Sequence, residues 1–311
     1  MKRRQTATTV GLVALLLIDI ALVALAFRNP FRSEPARAST VVTTSSPAAS
    51  ATTTSVASKT PTRSAEAQTS MTLVPIDSSR AWRFTNGSCR DGGATLAFTT
   101  NGGGTWTSVE SPFAAITRLQ STDPERVLLV GAQSDCRVST LRSTDTGLTW
   151  SSGGPVQVWF RNPDQASEVT NSNGRTSTPC GTSGSVSSLV ALSAGAALVL
   201  CADGKAVETA DAGASWVETA RGFGPLAVDA QVVAGRLSPT LAGQSDGCAG
   251  LAITTVAGGA SARVGCVAVG VALGPNQRGR ISLSSAGDAW WLAVGTDTFT
   301  STDSGKTWSR S

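Results

Sequence analysis

The sequence predicts an all-β domain assembled from one repeated unit and carried outside a membrane by an N-terminal helix and a linker. Three observations lead there. A motif ending at Trp308 recurs upstream at steps near those of a four-stranded β unit. An apolar run from Val10 to Phe27 follows Lys2-Arg3-Arg4 and has about the length a bilayer crossing requires. All six cysteines come after that run, an even count that reads as disulfides in an oxidising compartment.

In chain order, residues 1–9 are the basic cytoplasmic end, 10–27 the transmembrane signal anchor, 28–70 a linker and 71–311 the extracytoplasmic β domain. Positive charge ahead of the apolar run holds that end in the cytoplasm, so the remainder is exported. Ala24-Leu25-Ala26 offers a small-residue cleavage site, yet the unbroken run and the Arg28 and Arg32 behind it favour retention. Asp19 sits inside the run, where a carboxyl either meets an intramembrane partner or is tolerated near an interface. From Ser33 to Ser70 the chain is Ser, Thr, Ala and Pro with few large apolar residues, and it cannot bury enough surface to offset its ordering entropy.

Charge divides the same way. Residues 1–70 hold 8 of the 25 Lys/Arg and 3 of the 21 Asp/Glu, which leaves 17 basic and 18 acidic residues and a net charge of −1 for the β domain. That domain lacks the basic footprint of a nucleic-acid binder.

The repeat reads Ser/Thr-x-Asp-x-Gly-x-Thr/Ser-Trp. Its copies run from Thr99 to Trp106, with Asn101 for Asp, from Ser143 to Trp150 (Asp145, Gly147), from Thr209 to Trp216 (Asp211, Gly213) and from Ser301 to Trp308 (Asp303, Gly305). A degenerate copy, Thr254 to Ser261, has Val256 at the Asp position and Ser261 at the Trp position. This is turn chemistry followed by an anchor: the Asp accepts nearby backbone N–H groups, the Gly supplies positive φ, and the Trp packs beneath. The Asp positions 101, 145, 211, 256 and 303 give steps of 44, 66, 45 and 47 residues. Steps of about 40–50 residues are those of propeller blades, and the long one carries roughly 20 more.

Ahead of each copy lies a short apolar run that reads as the second strand of its blade. These runs are Arg80–Phe84, Arg126–Val130, Ala196–Leu200, the poorer Thr240–Gly243, and Asp288–Val294. Five blades are therefore expected, with six or seven as alternatives left open by the long step. The motif resembles the Asp-box (BNR) repeat of β-propeller proteins, in which it joins the third and fourth strands of a blade. That resemblance implies a β-propeller similar to the group that includes photosystem II assembly factors and sortilin-like receptor domains, which bind proteins.

In such a meander the second-to-third loops and the blade-to-blade connections share one face, and the boxes occupy the other. Cys89, Cys136 and Cys248 follow second strands, Cys201 ends one, Cys180 precedes a first strand, and Cys266 lies near the far end of a fourth. All six then map to the face opposite the boxes, with the expected pairs Cys89–Cys136, Cys180–Cys201 and Cys248–Cys266. The long step between Gly154 and Cys180 is assigned to the same face and carries Val158-Trp159-Phe160-Arg161. Aromatic residues beside an Arg are the composition of interface hot spots, although the pair also fits a strand packing inward. Trp159, Phe160, Arg161, Arg90, Asp135 and Arg137 are accordingly the candidate binding residues.

Histidine and tyrosine are absent, which removes Ser-His-Asp catalysis, His-ligated metal sites and the tyrosine nucleophile of sialidases. No Cys-x-x-Cys pair is present, and neither a metal nor a cofactor is expected. A carboxylate-pair glycosidase would have to draw on Asp91, Asp135 or Asp246, each of which also reads as a turn-capping Asp. The preferred reading is a non-catalytic module that binds an extracytoplasmic or membrane protein, with a cell-wall glycan as the alternative partner.

Overall fold

Short apolar runs separated by Gly, Asp and Ser turns fold here into six antiparallel meanders. The computed structural model describes residues 71–219, 224–233, 236–257 and 260–311. The anchor, Asp19 and linker expected within residues 1–70 lie outside the described residues. Among the described residues no helix is long and apolar enough to cross a membrane.

Blade 1 consists of β1 (Met71–Pro75), β2 (Ala81–Thr85), β3 (Thr95–Thr99) and β4 (Thr107–Val109). Blade 2 consists of β5 (Ala115–Ser121), β6 (Val127–Ala132), β7 (Val138–Ser143) and β8 (Ser151–Ser152). Blade 3 has only β9 (Phe160–Arg161), β10 (Val169–Thr170) and β11 (Thr176–Ser177). Blade 4 follows with β12 (Val186–Ala191), β13 (Ala197–Cys201), β14 (Ala206–Thr209) and β15 (Val217–Glu218). Blade 5 comprises β16 (Ala227–Val233), β17 (Arg236–Gly243), β18 (Leu251–Ala257) and β19 (Ala260–Val267). Blade 6 comprises β20 (Ile281–Ala286), β21 (Ala289–Val294), β22 (Asp297–Ser301) and β23 (Ser309–Arg310).

The first strands form the inner ring: β1 packs on β20 and β5, β16 on β20 and β12, and β9 fits between β5 and β12. Blades 6 and 1 close the circle without sharing a strand. The Met71 N–H donates to Gly279 O at 3.1 Å and the Leu73 N–H to Ser282 Oγ at 3.0 Å. Trp291 Nε1 reaches across to Asp77 O at 2.8 Å.

The core lies between blades. Trp82, Phe84, Leu96 and Phe98 of blade 1 pack against Ile116, Leu119, Val127 and Leu129 of blade 2. Tryptophans organise the joints: the second-strand Trp of one blade meets the box of the next. Trp82 lies 3.6 Å from the site a Cβ on Gly147 would occupy, and Trp159 lies 3.2 Å from that on Gly213. Trp291 meets the box Trp106 edge to face at 6.3 Å, and Trp159 meets Trp216 at 5.9 Å.

Three boxes share one hydrogen-bond set. The hydroxyls of Ser143, Thr209 and Ser301 donate to the Asp Oδ1 at 2.7–2.8 Å and accept the Gly N–H at 2.8–2.9 Å. Each Asp also accepts the N–H and hydroxyl of the Thr or Ser four residues on. Asn101 keeps the first of these but reverses the second, its Nδ2 donating to Thr105 Oγ1. The turn needs two successive left-handed residues, Thr146-Gly147, Ala212-Gly213 and Ser304-Gly305, with φ between 58° and 82°. A β-carbon on Gly147 would sit 2.7 Å from Val109 Cγ1, so space as well as conformation demands glycine there.

Two expectations change. The degenerate copy at Thr254–Ser261 is no box: Val256 pairs with Ser261 and Ala257 with Ala260, so β18 and β19 continue through most of it as a tight hairpin. The long step holds a sixth blade reduced to three strands. In blade 3 Asn171 Oδ1 accepts the N–H of Arg175 four residues on, as a box Asp does. The left-handed residue there is Gly174 alone, one position later than in a box. With Trp159 at the start of β9, its three strands correspond to the second, third and fourth of a full blade.

Candidate binding funnel

The missing first strand of blade 3 opens the inner ring. On the face opposite the boxes a cavity of about 630 Å³ is lined by the 86–93 loop, the start of β5, residues 161–166, the start of β12, and Arg278 with Gly279. Below it a channel cavity of about 260 Å³ takes residues from the innermost strand of every blade. Asn86, Thr117 and Arg161 line both, so the two form one funnel.

Two β-bulges shape its wall. Of the innermost strands that open four-stranded blades, β5 shifts register between Ile116 and Arg118, and β12 between Val186 and Ser188. These are the two strands flanking blade 3, and the extra residues Thr117 and Ser187 both line the funnel. A bulge re-aims the side chains after it. The freed Ser187 carbonyl accepts Arg161 Nη1 at 3.3 Å, and Arg118 reaches from β5 to Ala191 O of β12, also at 3.3 Å.

The mouth is fixed by cross-links. Cys89–Cys136 ties blade 1 to blade 2, Cys180–Cys201 ties the blade 3–4 connection to β13, and Cys248–Cys266 ties the 244–250 loop to β19. Cys89 Sγ lies 3.8 Å from Pro163 O, and Arg90 donates from Nε and Nη2 to Asp164 Oδ1 at 3.1 and 2.9 Å. Cys89, Cys136 and Asp164 are close enough to suggest a metal site, but the sulfurs are bonded to each other and offer no thiolate. Gly87 allows the 86–94 loop to lie on β5, since a β-carbon there would come within 2.5 Å of Ala114 O.

The candidate residues separate. Arg161 enters the funnel wall, Phe160 is half-buried beside it in β9, and Arg90 holds Asp164 at the rim. Asp135 and Arg137 stand exposed in the 133–137 loop, with Asp135 capping the Arg137 N–H. Trp159 is a correction. It is 1% exposed, its Nε1 donates to the Ser193 and Ala194 carbonyls, and it packs toward the box side. The insertion does not lie wholly on the cysteine face, because β9 runs from the box side to the funnel.

Two ionisable groups of the channel, Arg118 and Asp229, were not among the candidates, and they join Arg161 there. Burial lowers the pKa of both Arg118 and Arg161 to about 10, so both remain charged at neutral pH. Burial pushes Asp229 of β16 up to about 7, against hydrogen bonds from Ser285 and the Ala230 N–H that favour its anion. Arg118 and Asp229 each interrupt an apolar first strand, Ala115–Leu119 and Leu226–Ala230, and that interruption was the sequence signal for an inward-facing charge.

The glycosidase candidates are dispersed. Asp91 lines the funnel and Asp246 a separate cavity beside Cys248, while Asp135 serves its turn. The box aspartates are structural. Hydrogen bonds from Thr149 and Ser143 hold Asp145 down to about 2, and the equivalent bonds lower Asp211 and Asp303 further.

A six-bladed propeller with one open funnel is thus the class that fold and site define. No family model matches the chain, and no curated protein matches it. Among solved structures it is similar to the GH74 xyloglucanase of Xanthomonas campestris, at 18% identity over 78% of this chain and 38% of that one, TM-score 0.29. It is also similar to YCF48 from Cyanidioschyzon merolae, at 16% identity over 80% and 86% of the two chains, TM-score 0.37. A third is the Aleuria aurantia lectin in complex with Fucalpha1-6GlcNAc, at 13% identity over 78% and 94%, TM-score 0.43. The chain spans well under half the length of the xyloglucanase, and likenesses at this level transfer no function.

Proposed function

We propose that the protein is a non-catalytic binding module, held outside the membrane by its N-terminal signal anchor, that receives a protein partner at the funnel face. The observation that supports this most is that the face is fixed in advance: Cys89–Cys136 and Arg90–Asp164 tie blades 1, 2 and 3 together around the mouth. Ordering such loops beforehand removes part of the entropic cost of association. The first described strand also opens at this face, where Met71 of β1 lies beside Gly279 of the funnel. In the same reading the repeat is a true Asp box, supported by the common hydrogen-bond set of Asp145, Asp211 and Asp303.

The test is a photo-crosslinking residue placed in cells at Asp91 or Arg137 on the funnel face, and at Lys306 among the boxes. One recurrent protein adduct from the funnel-face positions, absent at Lys306, is the expected result. Adducts equal at both faces, or none, would overturn the assignment. An adduct that vanishes on digestion of wall glycan would make the partner a glycan.

A further inference from the structure

The channel beneath the funnel carries a second, deeper chemistry. Arg118 and Arg161 come from adjacent blades and line the same cavity of about 260 Å³. Arg118 Nε is buried and has no hydrogen-bond partner among the described residues. Its one described bond is made through Nη2 to Ala191 O. A guanidinium taken out of water calls for an anion with several acceptor atoms, and its planar fork matches the two oxygens of a carboxylate or phosphate. The bulged Thr117, with Asn86 and Ser188, supplies neutral polar groups around the same space.

We propose that this channel binds the oxyanion head, carboxylate or phosphate, of a small ligand, with Arg118 and Arg161 as its anchors. The site is distinct from the partner surface at the rim, and either could exist without the other. The acidic groups that face it are Asp229 in the channel and Asp91 and Asp164 at the mouth. Asp164 is neutralised by Arg90, and Asp229 is kept largely protonated below pH 7 by burial. The two arginines therefore dominate the field inside. The channel volume admits a head group and a few further atoms, with apolar Leu73, Leu119 and Leu192 available to the remainder.

Isothermal titration calorimetry on the full-length protein at pH 6.5, with inorganic phosphate and separately with citrate at constant ionic strength, tests the site. Saturable binding of at least one anion is expected, weakened tenfold or more in both Arg118→Gln and Arg161→Gln and unchanged in Arg126→Gln, an exposed arginine that lines neither cavity. Phosphate alone would assign a phosphoryl ligand, and citrate alone a carboxylate. Should a variant fail to fold, phenylglyoxal labelling of the unaltered protein, mapped by mass spectrometry, replaces it. The bound anion should protect Arg118 and Arg161 but leave Arg126 reactive. No saturable binding of either anion, binding indifferent to both variants, or labelling that the anion leaves unchanged at both arginines would overturn the proposal.

Discussion

Blades 3 and 4 are neighbours, yet one is complete and the other has lost its first strand. In blade 4 the box is self-contained: Thr209, Asp211, Gly213 and Ser215 satisfy one another, and Trp216 closes the turn. In blade 3 Asn171 keeps only part of that network, no box Trp follows, and the second strand β9 stands in the inner ring. The difference teaches that the repeat supplies a scaffold while its failure supplies a site. Where the first strand is absent, bulges and arginines fill the gap, and the funnel opens above them.

The comparison can be broken first at Trp159. If β9 is a true second strand packed on the box of blade 4, Trp159→Ala should lower stability in urea unfolding by about 3–5 kcal/mol. A loss below about 1 kcal/mol, within the range of surface substitutions, would return Trp159 to the surface and undo the strand assignment. The disulfides come next. Replacing Cys89 and Cys136 with Ser removes a link across a separation of 47 residues, and Cys180 with Cys201 one across 21. Chain entropy predicts losses of about 4 and about 3 kcal/mol, readable by the same denaturant titration.

Asp229 sharpens the contrast by pH. Its carboxyl is held up to about 7 in the folded chain against 3.8 in the unfolded, so the folded state binds the extra proton and stability falls as pH rises between those values. Asp229→Asn should relieve up to about 4 kcal/mol at pH 8 and nothing at pH 3, measured as the difference between unfolding midpoints. A benefit independent of pH would mean the carboxyl is not titrating there. The smallest effect lies in the turns. Thr146→Gly should stabilise by about 1 kcal/mol, because Thr146 is left-handed at φ 59°. Asn173→Gly, at the matching place in blade 3, should bring no gain, since Asn173 is not left-handed.

The sequence by itself determined the repeat, and with it the class of fold. Box turns and second strands are local: an Asp, a Gly and an alternating apolar run specify hairpins whatever surrounds them, so blades 1, 2, 4 and 6 were legible residue by residue. Blade 3 was visible only as surplus length, although Trp159, like Trp82 and Trp291, packs on the box of the next blade. The tertiary structure alone decided which face Trp159 serves, that Arg161 enters the channel, and that Arg118 and Asp229 face the same cavity. The physical reason is closure. A first strand learns what lies across the channel only when six blades have met, and no local propensity encodes a neighbour reached through that ring.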